Sequence, residues 1–214
     1  MCKIFDHYEN YSARNYYQVI SINDLLGCLP KLLGKIAKDK AEPLLALLPD
    51  DNHRAHQISI TNVQDLCTAL EVAYDWNKRK RKEDTLIGAL KKEINETIDQ
   101  FIRIHPKIDV NKETTIRSAF EYLDYTLKQK ILTLYAEHRA AVDAVISKLS
   151  LPQVNKESVG AFVKLRNGKT HGGTIAWGDS ANIYPALFAL EYACFFRFIG
   201  LPDKDIKAAI LKIF

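Results

Sequence analysis

The chain lacks the landmarks of most familiar enzyme classes. Its four cysteines, Cys2, Cys28, Cys67 and Cys194, contain no CxxC pair. Most of them sit in apolar or helical stretches, which predicts buried thiols rather than zinc ligation or a disulfide framework. There is no Walker A sequence, no GxGxxG after a strand and no GxSxG elbow, so nucleotide hydrolysis, dinucleotide redox chemistry and serine hydrolysis lack their usual machinery. His53, His56, His105 and His138 have no HExxH-type spacing. Neither a metal nor an organic cofactor is therefore expected.

Long apolar runs are also missing. The start, Met1 to His7, has no apolar core of the signal-peptide kind, and the most apolar late stretch, Tyr184 to Ile199, is interrupted by Glu191 and Arg197. The expectation is a soluble, cytoplasmic protein with no membrane association. No alternating strand pattern of useful length, internal repeat or low-complexity tract is present, so the expected class is all-α.

What is present suits an ordinary globular chain of 214 residues, 47% hydrophobic and 26% charged. That length accommodates one substantial core with a small appendage. The net charge of +4 permits an anionic partner without demanding one. An N-terminal extension, residues 1–56, combines the tyrosines Tyr8, Tyr11, Tyr16 and Tyr17 with a helix through Leu25, Leu29, Leu32 and Ile36 that Gly27 and Pro30 divide. Turn residues around Pro49 to Arg54 mark the boundary with a main domain, residues 57–214.

That domain opens with Thr61-Asn62-Val63-Gln64, which has capping-box spacing, and a helix to about Trp76. Leu86, Leu90, Ile94, Ile98 and Ile102 recur every four residues in a long helix ending near Pro106. A second long helix is expected from about Lys112 to Leu149, and the two should pack as an antiparallel pair. Asn155 is the expected cap of a helix through Val159, Phe162 and Leu165, and the last helices run from about Ser180 to Phe198 and from Asp203 to Phe214.

The segment Leu165-Arg166-Asn167-Gly168-Lys169-Thr170-His171-Gly172-Gly173 carries the chemistry. An arginine can hold a phosphate with two parallel hydrogen bonds, and a histidine can move a proton near neutral pH. RNA brings its own nucleophile, the 2′-hydroxyl, so a proton acceptor, a proton donor and a charge stabiliser suffice to cleave it. On an unbroken helix Arg166 and His171 would diverge by about 140° and ~7.5 Å. Gly168, Gly172 and Gly173 predict that the helix ends within the motif, where a turned end can aim both side chains into one cleft.

This motif resembles the Arg-x(4–6)-His motif of the HEPN superfamily, all-helical domains that include many metal-independent ribonucleases, and Asn167 matches the polar residue favoured after the arginine. Upstream, Val63 to Tyr74 looks like the opening helix of HEPN domains of the ApeA-like antiphage type. The two matches cover roughly Ile58 to Phe214. The resemblance implies a HEPN-like bundle with long antiparallel helices and an endoribonuclease acting on single-stranded RNA in prokaryotic antiphage defence or stress response. His171 would be the acid or base, Arg166 the phosphate ligand and Asn167 the residue that orients them. Because the chain has one such motif and HEPN nucleases commonly pair two, it further implies a homodimer with a composite cleft, with a regulatory partner or activator as a further expectation. The toxins of the HEPN–nucleotidyltransferase class carry a tyrosine two residues past the motif histidine. Here that residue is Gly173, which argues against their regulatory scheme.

Each sharp reading has a plainer neighbour. Arg166 and His171 also suit the negative end of a helix dipole, and a non-catalytic helical dimerisation or nucleotide-binding module is the alternative to the enzyme. Lys169, together with Lys78, Arg79, Lys80 and Arg81 in the basic run to Lys82, is a candidate RNA ligand, or else a solvated loop residue. Trp177 could stack on a base, but packing against the core is the expected role. Glu71 resembles an acidic position of related domains and equally suits an ion pair.

Overall fold

The computed structural model describes residues 20, 22–38, 58–77, 85–106, 109–121, 125–170 and 177–214. Among these residues the chain is all-α, with no strand. In chain order the helices are α1 (Ile22–Leu25), α2 (Leu29–Ile36), α3 (Ile60–Asn77), α4 (Thr85–Ile104), α5 (Val110–Glu121), α6 (Leu127–Leu149), α7 (Lys156–Thr170), α8 (Tyr184–Ile199) and α9 (Asp203–Ile213), with a 3₁₀ turn at Asp179–Ala181. No helix among the described residues is long and apolar enough to cross a membrane.

Helix α3 begins earlier than the sequence suggests. Ser59 Oγ, rather than Thr61, accepts the backbone N–H of Asn62 at 3.1 Å, so the first free donors are met one half-turn upstream. Val63, Leu66, Cys67, Leu70, Ala73 and Tyr74 follow at helical spacing, and all are buried.

The long helix expected over residues 112–149 is two helices. Thr126 closes a capping box: its Oγ1 accepts from the Gln129 backbone N–H, and Gln129 Oε1 accepts from the Thr126 N–H at 2.8 Å. That reciprocal pair starts α6 afresh. The expected antiparallel pairing changes with it, because α4 packs against α5, while α6 enters the body and packs against α3, α7, α8 and α9. Apolar repetition every four residues gives a helix a sticky face but does not name the face it meets.

Helix α6 departs from helical geometry at His138, where φ is −116° and ψ 16°, and it closes at Ser150 in the left-handed region, with φ 53°. Helix α8 carries Pro185 in its first turn, where proline is tolerated, and is capped by Gly200 with φ 95°. A side chain at Gly200 would be strained by that φ and would also run into Lys31. In α9, Asp203 and Asp205 lie in the first turn and Lys212 in the last, each sign matching the nearer end of the helix dipole.

Two cores share α8. The first joins α3, α6 and α7 to Tyr184, Leu187, Phe188, Leu190 and Cys194. The second joins α9 and the N-terminal residues Ile20, Leu25, Cys28 and Leu32 to Ala189, Ala193, Phe195, Phe196 and Ile199. The anticipated boundary at residues 56 and 57 lies outside the described residues. Cys28, Cys67 and Cys194 are buried free thiols, as expected from their apolar surroundings.

Candidate functional site

Helix α7 is built to present its C-terminal end. Asn155 caps the other end as the sequence predicts: its Oδ1 accepts the N–H groups of Glu157 and Ser158 at 3.0 and 2.9 Å, and Ser158 Oγ returns the bond to the Asn155 N–H at 3.0 Å. Val159, Phe162 and Leu165 are buried in the body, and Arg166 stands seven residues after Val159, two turns along the same stripe. Its partial burial follows from that register. Arg166 is half-buried, and its Nε is shielded from solvent.

Asn167 is exposed beside it, and Arg166 Nη1 donates to Asn167 Oδ1 at 3.1 Å. The arginine also shares its neighbourhood with two residues of α3. Burial pushes the Cys67 thiol up to about 12, the positive charge of Arg166 opposes that rise, and Glu71 adds to it. Arg166 and Glu71 therefore each lie within electrostatic reach of Cys67, where α7 meets α3. Cys67 drew attention in the sequence only as a buried thiol.

The described part of the helix runs through Thr170. Lys169 lies in its last turn. His171 lies outside the described residues, as do Lys78, Arg79, Lys80 and Arg81. The C-terminal end of a helix carries partial negative charge and so repels phosphate. Attraction for an anion here must come from the cationic side chains, with Arg166 foremost.

Trp177, just past the motif, is half-buried and packs on the first core, the role expected for it. Two buried polar groups stand apart from the motif. Glu191 on α8 is fully buried, and its Oε1 makes no hydrogen bond. Burial, with Asp65 adding to it, holds its carboxyl well above the usual range. Tyr184, raised by burial and then by Glu191 and Asp65, belongs to the same cluster. In the sequence Glu191 reads only as an interruption of an apolar stretch, although a lone carboxylate among apolar neighbours on a core helix is itself a signal. The second group is His138, at the irregular point of α6, whose buried Nε2 makes no hydrogen bond.

No group of three or more His, Cys, Asp or Glu residues among the described residues is placed to hold a metal ion. The arrangement that can act on a substrate is thus the guanidinium of Arg166, bonded to Asn167, in the later turns of α7. Compared with protein-family models, curated proteins and solved structures, the chain matches none.

Proposed function

We propose that the chain is a HEPN-like, metal-independent endoribonuclease that cleaves single-stranded RNA. The observation that carries this reading is the pairing of Arg166 with Asn167 in the later turns of α7, five and four residues before His171 in the sequence. A guanidinium held by a neighbouring amide is oriented in advance, so less rotational freedom is lost when it takes up a phosphate. Arg166 binds the scissile phosphate and the charge that grows on its oxygens. A histidine removes the 2′-hydroxyl proton as O2′ bonds to phosphorus, and a second proton donor delivers a proton to O5′ as the P–O5′ bond breaks. The products are a 2′,3′-cyclic phosphate and a free 5′-hydroxyl.

One motif supplies one histidine, so the reading includes a homodimer in which His171 of each copy faces the other across a composite cleft. Lys169 and the run Lys78 to Arg81 supply electrostatic attraction for the RNA backbone. A role in prokaryotic antiphage defence or stress, under the control of an activator or regulatory partner, follows from the HEPN resemblance.

The test is cleavage of end-labelled single-stranded RNA in EDTA by the wild type and by His171→Ala. Cyclic phosphate ends that vanish in the variant support the reading. Cleavage undiminished by His171→Ala, or dependent on added metal, overturns it. Absence of cleavage by the wild type favours the non-catalytic dimerisation or nucleotide-binding module.

A further inference from the structure

Helix α7 carries its charge almost entirely in one sign. Lys156, Lys164, Arg166 and Lys169 stand against a single carboxylate, Glu157. Residues 127–136 of α6, which packs on α7, hold Lys128 and Lys130 and no acid. Two of these cations oppose the field of their own helix. Lys156 is the first residue of α7 and Lys128 the second of α6, at ends where the dipole is positive and an acidic side chain is the stabilising choice. Lys130 is offset, because its Nζ lies 3.8 Å from Asp75 and 5.6 Å from the centroid of the Tyr74 ring. Lys128, Lys156 and Lys164 form no ion pair among the described residues.

These three come together on one face. At about 100° per residue from Lys156, Gly160 falls at roughly 40°, Lys164 at roughly 80° and Asn167 at roughly 20°, a stripe that climbs α7 in steps of about 6, 6 and 4.5 Å. The second rung is supplied by α6. Gly160 has no side chain, and Lys128 lies across α7 there, so that a Cβ would stand 3.0 Å from Lys128 Nζ and 3.4 Å from its Cε. Lys156, Lys164 and Asn167 are exposed and Lys128 is half-buried. Arg166 Nη1 is bonded to Asn167 Oδ1 at 3.1 Å, so the stripe runs into the guanidinium. Tyr125, three residues before Lys128, is 38% exposed, its ring tilted at 56° to that of Tyr74, 5.8 Å away.

We infer that this face is a track for the phosphate backbone of a single strand, on which Lys156, Lys128 and Lys164 each meet a phosphate and which leads to Arg166, with Tyr125 as a stacking surface for one base. Point charges at regular intervals suit a polymer whose charge repeats regularly. Ammonium groups take a phosphate in many orientations, whereas the last position carries the planar fork that suits one particular phosphate. An aromatic beside a basic groove is the other half of single-strand binding. A membrane surface would be met by apolar side chains as well as cations, and no large hydrophobic side chain is exposed among the described residues of α7. The inference rests on the endoribonuclease reading for the choice of RNA and for Arg166 as the destination, but holding the strand requires no cleavage.

The experiment is binding of the full chain to a fluorescein-labelled single-stranded RNA of about 12 nucleotides, made with 2′-O-methyl riboses so that 2′-hydroxyl attack is blocked, measured by anisotropy over a series of salt concentrations. The track variant is Lys128→Gln with Lys156→Gln and Lys164→Gln. A control loses three other exposed charges, through Lys38→Gln, Lys204→Gln and Lys207→Gln. At about 0.1 M salt the track variant is expected to bind on the order of 100-fold more weakly than the wild type, with a slope of log K against log salt shallower by about 2, while the control stays within about threefold. Tyr125→Ala should weaken binding on the order of tenfold with the slope unchanged, because stacking releases no counterion. The track variant should keep its helical circular dichroism and an equal or higher unfolding midpoint, since Lys128 and Lys156 each oppose a helix dipole. A wild type that does not bind, or a track variant that binds as well as the control, overturns the inference. Cleavage of an unmodified strand by the same proteins separates the two proposals. Track-dependent binding without cleavage leaves the track and removes the nuclease. Cleavage that is lost in His171→Ala but undiminished in the track variant leaves the nuclease and removes the track.

Discussion

Trp76 and Phe198 lie face to face, their ring centroids 3.7 Å apart and their planes within 19° of parallel. Lys35 Nζ sits 3.0 Å from the centroid of the Phe198 ring, so one stack ties α2, α3 and α8 together. The cation meets the negative face of a ring whose other side is covered by an indole. Trp76→Ala should lower unfolding stability by about 2–3 kcal/mol, less than for a fully buried tryptophan because Trp76 is only half-buried. Urea titration followed by circular dichroism measures it, and a loss under about 0.5 kcal/mol would mean that the stack contributes no more than an ordinary surface contact.

The cap of α7 gives a second expectation. Asn155→Ala removes the acceptor of two backbone N–H groups and should cost about 1 kcal/mol, whereas Asn155→Asp keeps the oxygen and adds a charge that suits the helix N-terminus. Equal loss in both variants would show that the cap is not what the side chain contributes.

Glu191 makes stability depend on pH in a definite direction. In the unfolded chain it ionises near its ordinary value of 4.5, while in the folded chain burial keeps its proton on to higher pH. Folding above pH 4.5 therefore takes up a proton, and the contribution of this group to stability falls as pH rises from there toward the folded pKa. Glu191→Gln, which cannot ionise, should match the wild type near pH 4 and gain on it as pH rises from there toward the folded pKa. Parallel urea curves at pH 4, 6 and 8 check this, and a constant gap between the two proteins would sink it.

His138 acts in the other direction. Burial lowers its pKa, Arg197 lowers it further, and Glu137 and Asp203 oppose them. The unfolded chain then binds a proton near pH 6.5 that the folded chain refuses, so stability is lost as pH falls below 6.5 toward the folded value. His138→Gln should flatten the decline between pH 6.5 and 5. An unchanged slope in the variant would assign that decline to other groups.

At the motif, Arg166→Lys keeps the charge but loses the planar fork that Asn167 orients. If the chain cleaves RNA as proposed, the turnover should fall on the order of 10²-fold. Asn167→Ala should fall less, because it removes the orientation and leaves the charge. A lysine variant with full activity would remove the bidentate role from Arg166.

Much of this fold is legible in the sequence, and the exceptions have physical causes. Asn155, Pro202 and the Gly200 stop are strong local signals, and the helices beside them fall where they were expected. The junction at Thr126 was also written in the chain, as a threonine three residues before a glutamine, but the apolar rhythm continues across it and conceals the new start. Partner choice was less legible still. Leu86, Leu90, Ile94, Ile98 and Ile102 predict an amphipathic helix, while the body it meets is chosen by long-range packing that no local pattern contains. In the site, the register that half-buries Arg166 could be read from Val159 and Phe162. The approach of Cys67 and Glu71 could not, because it depends on how α3 lies against α7.

Helix α8 lies between the two cores, and this has a consequence for the order of events during synthesis. Helices α3, α6 and α7 leave the ribosome before the segment that fills the space among them. Until Tyr184 to Ile199 has emerged, Leu66, Leu70, Leu134 and Phe162 have only the packing of α3, α6 and α7 on one another to cover them. If the chain is the nuclease proposed above, the part of its site on α7 is translated well before α8 is there to support it, and the growing chain would stay silent toward the RNA around it until α8 arrives.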